Sequence, residues 1–498
     1  MSTKRILTTA MALLLIAAIP ARATSVPTLT VIDTINPGAG SSGAMDRSNS
    51  VALSGYLYFR AYDATHGFEL WRTNGTTTEL VNDINTNGAD GSSPYALTAL
   101  GAYLYFSATD GTHGYELWRT NGTTTELVYD INTDGADSSY PSGFTDLGGY
   151  LYFEATDATH GAELWRTDGT TTEMVMDINT NGAAGSSPYA LTALGDYLYF
   201  QATDGTHGYE LWRTNGTTTE LVYDINTDGA DNSYPYALTA FGDFLYFRAE
   251  DATHGYELWR TNGTTTALVY DINTNGAAGS DPYALTALGD YLYFSATDGT
   301  HGYELWRTNG TTTELVMDIN TGTGGADSSY PSGFTALGGY LYFTAYDATH
   351  GAELWRTNGT TTELMMDINT GTSGAAGSYP DYFTALGDFL YFAANDGTNR
   401  GLWRTDGTTT ESVPFPGGTN QYISCDCYDT NIVAVGARLY TTMYSSATGY
   451  EFAYLDEPTY VLPETSRDGS LWTATLVILA GLTAAASIGL RVRGARRA

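Results

Sequence analysis

One motif, ELWRTNGTTTELV with small variations, recurs eight times along this chain of 498 residues. Successive copies are 47, 47, 47, 47, 47, 49 and 48 residues apart. A fixed period of this size indicates one supersecondary unit that is stacked in an array, because a single copy cannot bury its own apolar surface. The tryptophans of the eight copies are Trp71, Trp118, Trp165, Trp212, Trp259, Trp306, Trp355 and Trp403.

The fourth copy shows how one unit is built. Four runs rich in β-formers are separated by turn residues: Leu191–Leu194, Tyr197–Thr203, Tyr209–Thr214 and Thr217–Ile225. Asn-Gly between the last two runs predicts a hairpin with a type I′ turn, in which both central residues have positive φ. Four strands per unit predict the blade of a β-propeller, an all-β fold. An open β-solenoid is the alternative, although its coils are usually shorter.

Two flanking segments resemble partial copies of the unit. Residues 28–50 are similar to a fourth strand with its following loop, and residues 431–456 are similar to strands one to three. An N-terminal strand that completes a C-terminal blade would close the ring and cover its sheet edges. We therefore expect eight full repeats plus a degenerate ninth formed by the two ends. An eight-bladed ring with an appended hairpin is the alternative.

The two ends predict export and a membrane tether. Residues 1–23 have the basic start, apolar run and Ala-Arg-Ala cleavage site of a signal peptide, and the repeat domain follows at 24–456. Residues 457–470 form a linker, and the apolar segment 471–490 is long enough for a transmembrane helix. The arginine-rich tail 491–498 should remain cytoplasmic.

The linker carries the sequence LPETS at 462–466, which resembles the LPxTG motif of bacterial surface-sorting signals. The order of this motif, the apolar helix and the arginines also resembles the tails that exosortase-type enzymes process. Ser466 stands where the sortase motif has glycine. A plain single-pass anchor is the alternative to a processed tail.

The chain is strongly acidic, with 55 aspartates and glutamates against 21 lysines and arginines and a net charge of −34. Such a surface repels nucleic acid and anionic lipid. It suits cation binding, life in a salty medium, or simple colloidal stability. The two cysteines, Cys425 and Cys427, are compatible with a strained disulfide or with two free thiols, so the fold does not depend on disulfides.

The loops between units have the pattern D-x-N-x-[ND]-G, which resembles the start of an EF-hand calcium loop. Alternating oxygen ligands suit a hard cation, and the glycine permits a sharp turn. The alternative is that Asp and Asn form turns through their own backbone. The candidate calcium ligands are Asp83, Asn85, Asn87 and Asp90, then Asp130, Asn132, Asp134 and Asp137, then Asp224, Asn226, Asp228 and Asp231.

Among near-identical units, the residues just after the Tyr-Phe pair of strand two vary most. Variable positions in a repeat array are where a binding surface can be encoded, and drift of exposed residues is the alternative. Histidine recurs once per unit in seven units, each in its own blade, so the histidines need not converge on a metal. The candidate ligand-binding residues are Arg60, Glu154, Gln201, Arg248 and Glu250.

The segment ELWRTDGT at Glu163–Thr170, with its seven relatives, resembles the ELWxxDGT repeat family of bacterial exported proteins, often labelled hyalin-like. The likeness covers roughly residues 51–410. It implies a propeller-like extracellular protein that binds or adheres, and it supplies no catalytic residues.

We therefore expect a cell-surface propeller that binds extracellular glycans or proteins and that calcium organises. A purely structural envelope protein of a salt-adapted cell is one alternative, and a propeller lyase or glycosidase is another. Near-identical units offer no single asymmetric cluster of acid, base and binding group, so the sequence favours a protein that is not an enzyme.

Overall fold

The structure is a computed structural model that describes residues 26–32, 35, 50–227, 231–321, 327–371, 376–415, 421–422, 432–445 and 449–456. The predicted signal peptide, linker, transmembrane helix and basic tail lie outside these residues, as do Cys425 and Cys427. Within the described ranges, no helix is both long and apolar enough to cross a membrane.

Nine antiparallel sheets make up the described part of the chain, and eight of them contain four consecutive strands each. The first strand, β1 at Thr30–Val31, belongs to the ninth sheet. Blades 1 to 4 then follow in chain order. Their strands are β2 Ser50–Leu53, β3 Tyr56–Asp63, β4 Gly67–Thr73, β5 Thr78–Asn82; β6 Tyr95–Leu100, β7 Tyr103–Thr109, β8 Tyr115–Thr120, β9 Thr125–Tyr129; β10 Ser142–Leu147, β11 Tyr150–Asp157, β12 Gly161–Thr167, β13 Thr172–Met176; and β14 Tyr189–Leu194, β15 Tyr197–Thr203, β16 Tyr209–Thr214, β17 Thr219–Tyr223.

Blades 5 to 8 repeat the same order. Their strands are β18 Tyr236–Phe241, β19 Phe244–Asp251, β20 Gly255–Thr261, β21 Thr266–Tyr270; β22 Tyr283–Leu288, β23 Tyr291–Thr297, β24 Tyr303–Thr308, β25 Thr313–Met317; β26 Ser332–Leu337, β27 Tyr340–Asp347, β28 Gly351–Thr357, β29 Thr362–Met366; and β30 Asp381–Leu386, β31 Phe389–Asn395, β32 Arg400–Thr405, β33 Thr410–Ser412.

The ninth blade is assembled from both ends of the described chain. Its strands are β34 Gln421–Tyr422, β35 Ile432–Val435, β36 Arg438–Ser445 and β37 Gly449–Asp456. The N-terminal β1 pairs with β37, and Ile32 donates a main-chain hydrogen bond to Phe452 at 2.8 Å. The predicted composite blade is therefore confirmed, and the ring has nine blades.

The core lies between blades, and the alternating pattern of strand two explains why. In blade 4, Leu198 and Phe200 pack with Leu164 of blade 3, whereas Tyr199 packs with Leu245 of blade 5. Successive side chains of a strand point to opposite faces, so the YLYF run fills two interfaces at once. Removing a buried ring such as that of Phe200 should cost roughly 3–5 kcal/mol.

The same kind of packing closes the ring on both sides of the ninth blade. Leu439 clusters with Tyr391 of blade 8, and Phe452 clusters with Phe59 of blade 1, whose ring it stacks on at 4.7 Å. The Thr384 hydroxyl also donates to the Ile432 carbonyl at 2.6 Å. Blade 9 is thus packed between blades 8 and 1, and the eight-bladed alternative is wrong.

First strands of neighbouring blades contact one another and therefore line the propeller axis. Most of them carry a β-bulge near their start. In blade 4, the pairing shifts between Tyr189 and Thr192, and Ala190 has a φ of 57°. A bulge redirects the side chains beside it and often occurs next to functional sites.

The hairpin between strands three and four is confirmed, but its predicted type I′ geometry is wrong. Gly216 has a φ of 82°, whereas Asn215 is not among the residues with positive φ. The Asn215 Oδ1 instead accepts hydrogen bonds from the main-chain N–H groups of Thr217 and Thr218, at 2.9 and 2.8 Å. The Asn215 side chain therefore caps a four-residue loop, which takes the place of the predicted two-residue turn.

Candidate functional site

The variable positions of strand two lie directly opposite the first residue of strand one. Glu154 pairs with Ser142, Gln201 with Tyr189, and Arg248 with Tyr236. Directly opposite residues in an antiparallel pair share a face of the sheet. Three of the five predicted ligand residues therefore lie beside the bulged first strands, close to the axis.

A cavity of 580 Å³ opens where the first strands of blades 2 to 5 meet. Glu154, Ser142, Tyr189 and Tyr236 all contribute to its wall. The Ser142 hydroxyl donates to Glu154 Oε2 at 3.4 Å, and burial raises the pKa of Glu154. The cavity therefore combines one partly desolvated carboxyl group with hydroxyls and aromatic rings.

The two tyrosines at this cavity form a flat aromatic surface. Tyr189 of blade 4 and Tyr236 of blade 5 lie with their ring planes within 6° of parallel and their centroids 6.2 Å apart. They keep 54% and 46% of their surface exposed. Sequence analysis did not single out these tyrosines, because their position follows from a bulge that the repeat pattern does not reveal.

The other predicted ligand residues have local partners. Arg248 forms an ion pair with Asp281 of the loop leading to blade 6, at 2.6 Å, and lies 3.8 Å above the ring of Tyr256. Glu250 pairs across the sheet with Tyr256. Burial, followed by the hydrogen bond to Glu250, raises the pKa of Tyr256 to about 12. Both residues therefore belong to one charged cluster around Tyr256 in blade 5.

Arg60 is separate from this group. It lies in blade 1, with its guanidinium 4.1 Å above the ring of Phe68, and does not line the cavity beside Glu154. Of the predicted ligand residues, Glu154 lines the cavity, while Gln201 and Arg248 lie opposite the first-strand residues Tyr189 and Tyr236. Arg60 lies apart from them, because the variable positions are distributed around a ring of nine blades.

In the first candidate calcium loop, side chains satisfy one another. Asn87 donates its amide to Asn85 Oδ1 at 3.0 Å, and Asn85 donates to the Asp90 carbonyl at 2.8 Å. Asp83 keeps one buried carboxylate oxygen without a hydrogen-bond partner in the described part of the chain. The turn-forming alternative therefore accounts for most polar groups of this loop.

The second loop differs in one respect. Asp134 replaces the asparagine that donates in the first loop, and the buried Asn132 Oδ1 has no hydrogen-bond partner among the described residues. Asp130 likewise has an unpartnered buried oxygen, while Asp134 and Asp137 are exposed. A buried amide oxygen without a donor from the protein needs water or a cation as its partner.

The third loop has the same unpartnered oxygens on Asp224 and Asn226, and Asp231 is exposed. Asp228 lies outside the described residues. Within those residues, no three histidine, cysteine, aspartate or glutamate side chains form a group that could hold a metal ion. Calcium binding by these loops remains a prediction.

The glutamate of the ELW motif is a site residue that sequence analysis missed. In blade 2, Glu116 is fully buried and accepts hydrogen bonds from the Ile131 N–H at 2.8 Å, the Ser139 N–H at 2.9 Å and the Ser139 hydroxyl at 2.6 Å. Burial raises the pKa of Glu116 to about 7. The side chain anchors the loop that leads to the next blade. The same buried position is occupied by Glu69, Glu163, Glu210, Glu257, Glu304 and Glu353.

The histidines do not converge. In each described loop the imidazole pairs with the aspartate three residues earlier, as for His160 Nδ1 and Asp157 Oδ2 at 2.8 Å. That hydrogen bond raises the pKa of His160. These pairs hold the loop between strands two and three.

No protein-family model matches the chain, and no curated protein matches it. Solved structures with a similar fold include a prolyl endopeptidase, with 12% identity and a TM-score of 0.40, over 71% of this chain and 54% of the other. The propeller domain of the Trilobed protease from Pyrococcus furiosus matches with 12% identity and a TM-score of 0.35, over 66% of this chain and 99% of that domain. A puromycin-hydrolysing peptidase of Mycobacterium tuberculosis matches with 12% identity and a TM-score of 0.37, over 75% of this chain and 61% of the other.

These comparisons correct one expectation. The sequence favoured a protein that is not an enzyme, whereas the matched structures belong to peptidases. This chain spans between half and two thirds of the length of the prolyl endopeptidase and the puromycin-hydrolysing peptidase. At 12% identity, no catalytic residue carries over to it.

Proposed function

We propose that this chain is an exported, surface-tethered propeller that binds a neutral glycan in the cavity beside Glu154. One observation carries the proposal. Blades that are otherwise nearly identical diverge at Glu154, Gln201 and Arg248, and those positions adjoin the exposed, parallel rings of Tyr189 and Tyr236.

The chemistry of the cavity suits a sugar. The apolar C–H face of a pyranose packs on an aromatic ring, and its hydroxyls need nearby donors and acceptors. Tyr189 and Tyr236 offer the flat surface, and Glu154 with Ser142 offers a carboxyl and a hydroxyl group. The net charge of −34 disfavours an anionic polysaccharide, which narrows the proposed ligand to a neutral one.

The proposed location rests on the ends of the chain. The signal-peptide pattern at 1–23 and the apolar segment 471–490 support export and tethering. The resemblance of the ELWRTDGT segment to the ELWxxDGT family of exported proteins supports the same location.

A glycan array probed with the full-length chain tests the proposal. We expect binding to neutral glycans, and a loss of at least tenfold in affinity when Tyr189→Ala and Tyr236→Ala are combined. Tyr223→Ala is the matched control, because Tyr223 lies in the same blade as Tyr189 and is 47% exposed on the outer strand.

Two results would overturn the proposal. If the wild-type chain binds no neutral glycan, the purely structural role in the envelope gains support. If Tyr223→Ala weakens binding as much as the double substitution, the ligand does not sit on the parallel tyrosines.

A further inference from the structure

A second cavity, of 520 Å³, lies in blade 7 and is built differently from the one beside Glu154. Its wall is mainly apolar and receives three tyrosines from three separate segments, Tyr330, Tyr346 and Tyr379. Tyr330 and Tyr379 keep 58% and 61% of their surface exposed. Asp327, also exposed, contributes an acidic group to the same wall.

Local structure holds the three tyrosines in place. Tyr330 and Tyr379 precede prolines and have φ values of 47° and 48°, and their N–H groups donate to the carbonyls of Tyr303 at 3.1 Å and Ala352 at 2.9 Å. The Tyr346 N–H donates to the Ser329 carbonyl at 2.8 Å. The Tyr330 ring stacks on that of Tyr303 at 5.5 Å. A site fixed before binding loses less conformational freedom when its ligand arrives.

A small residue keeps the cavity open. Tyr346 lies directly opposite Ala352 on the same face of the sheet. In blades 2, 4, 5 and 6 the residue at this position of strand three is a tyrosine. In blades 2, 4 and 6 its ring stacks on a tyrosine of the following loop. Blade 7 therefore has a gap where those three blades have stacked rings.

We infer that this cavity binds a trimethylammonium group. Three aromatic rings around an apolar gap attract an organic cation through the negative faces of their π-systems, and quaternary ammonium recognition uses such cages. No lysine or arginine lines the described wall of the cavity, and Asp327 adds negative charge. The net charge of −34 raises the local concentration of cations around the whole chain.

Blade 3 provides an internal comparison. It shares the sequence YPSGFT with blade 7, and Tyr140 and Ala162 occupy the positions of Tyr330 and Ala352. The other two cage positions hold Thr156 and Ser187. Blade 3 therefore shares the sequence that surrounds the blade 7 site, but its equivalent site has one tyrosine instead of three.

Isothermal titration of the full-length chain with choline tests the inference, and 3,3-dimethylbutan-1-ol serves as its neutral isostere. We expect choline to bind and the isostere to bind at least tenfold more weakly, because only the cation interacts with the ring faces. The combined substitutions Tyr346→Thr and Tyr379→Ser convert the blade 7 cage to the blade 3 residues and should abolish choline binding.

Two controls complete the experiment. Tyr346→Phe keeps a ring and should retain binding, whereas Tyr189→Ala removes a glycan-site residue and should leave choline binding unchanged. Equal affinities for choline and its isostere, or unchanged choline binding after Tyr346→Thr and Tyr379→Ser, would overturn the inference independently of the glycan proposal.

The group could be offered by a free solute or by a phosphocholine headgroup. Co-sedimentation with phosphatidylcholine vesicles distinguishes them. Vesicle binding that Tyr346→Thr and Tyr379→Ser abolish assigns the headgroup, and choline binding without vesicle binding assigns the free solute.

Discussion

Arg438 of the ninth blade donates a hydrogen bond from Nη1 to the main-chain carbonyl of Asn74 in the first blade. A similar contact joins consecutive blades inside the ring, as between Arg166 and the carbonyl of Gly216, one residue further along the equivalent loop, at 2.9 Å. In both places the guanidinium also lies over a tyrosine, 4.4 Å from Tyr454 and 4.6 Å from Tyr150. The interface between the two ends of the chain therefore reproduces the interface between ordinary neighbours.

The substitution Arg438→Ala should weaken ring closure. It removes the hydrogen bond to Asn74, the cation–π contact with Tyr454 and the ion pair with Asp456, and we expect a loss of about 1.5–3 kcal/mol in unfolding free energy. Because blade 9 is held by the short strand β1 and by packing against blades 8 and 1, we also expect a faster first step of unfolding. Urea denaturation gives the free energy, and stopped-flow fluorescence gives the rate.

Arg166→Ala is the matched control for that experiment. It removes a similar hydrogen bond, cation–π contact and ion pair, the last with Glu173, within the covalently continuous part of the ring. Its equilibrium cost should therefore be similar, and its unfolding rate should change less. Equal acceleration of unfolding by both substitutions would mean that the closing interface is not the first to open.

The substitution Asp134→Asn should stabilise the loop after blade 2. It restores the amide that, in the loop after blade 1, donates from Asn87 to Asn85 Oδ1, and it would satisfy the buried Asn132 Oδ1. We expect a gain of about 1 kcal/mol without added metal, measured by urea denaturation with chelator present. The reverse change, Asn87→Asp, should cost a similar amount.

The same variant tests the predicted calcium sites. We expect calcium to raise the melting temperature of the wild-type chain more than magnesium does at equal ionic strength, and to raise that of Asp134→Asn less. Equal stabilisation by sodium, magnesium and calcium salts would mean that the acidic surface is only screened, and would remove calcium from the account.

The buried glutamates should make the propeller less stable as the pH rises towards neutrality. Burial raises the pKa of Glu116, Glu210 and Glu304 to about 7 from the ordinary value of 4.5. A group whose pKa is higher in the folded chain stabilises it fully below the unfolded value and ceases to do so as pH rises through the folded value. This contribution is therefore present below pH 4.5 and lost by about pH 7.

Urea denaturation of Glu116→Gln at pH 4.5 and at pH 8 measures that contribution. We expect a smaller drop in unfolding free energy between the two conditions than in the wild-type chain. Asp146→Asn, at the exposed Asp146 of blade 3, removes one negative charge at the surface and controls for general repulsion. If the decrease in unfolding free energy between the two pH values is the same in Glu116→Gln as in the wild-type chain, Glu116 does not cause it.

Much of the fold follows from periodicity alone. The Trp spacing, the YLYF alternation and the partial copies at both ends predict the number and order of strands, and even the bounds of β15 and β16 agree with the predicted runs. These features are local or repeat along the chain, so a single sequence carries them. The prediction of a type I′ turn was wrong because the Asn215 side chain caps the loop, and Asn215 does not adopt the positive φ that such a turn requires.

The candidate sites were less predictable. Variation within the repeats identified Glu154, Gln201 and Arg248, but their proximity to Tyr189 and Tyr236 depends on the first-strand bulges and on contacts between blades. The cage of blade 7 likewise needs Tyr379 from the loop that leads to the next blade. Residues that meet across blades, such as Tyr189 and Tyr236, are far apart in the sequence, and no local pattern links them.

The loop between strands two and three reads DATHG in blades 1, 3, 5 and 7 and DGTHG in blades 2, 4 and 6, and this alternation gives a last prediction. In blade 4, Gly205 has a φ of 77°, and a Cβ there would lie 2.9 Å from Asn181 Nδ2 of the preceding loop. In blade 3, Ala158 occupies this position within a hairpin that pairs Asp157 with Gly161. The alternation therefore reflects two loop geometries.

Gly205→Ala should consequently destabilise the chain by about 1–3 kcal/mol, because alanine would adopt a left-handed backbone and crowd Asn181. Gly195→Ala is the matched control: Gly195 has a φ of 60° but nothing within 4 Å of its Cβ position, so it reports the backbone strain alone. Urea denaturation of both variants separates the two terms. Equal losses would mean that the asparagine side chain moves aside without cost, and that the blade-to-blade contact does not select glycine at position 205.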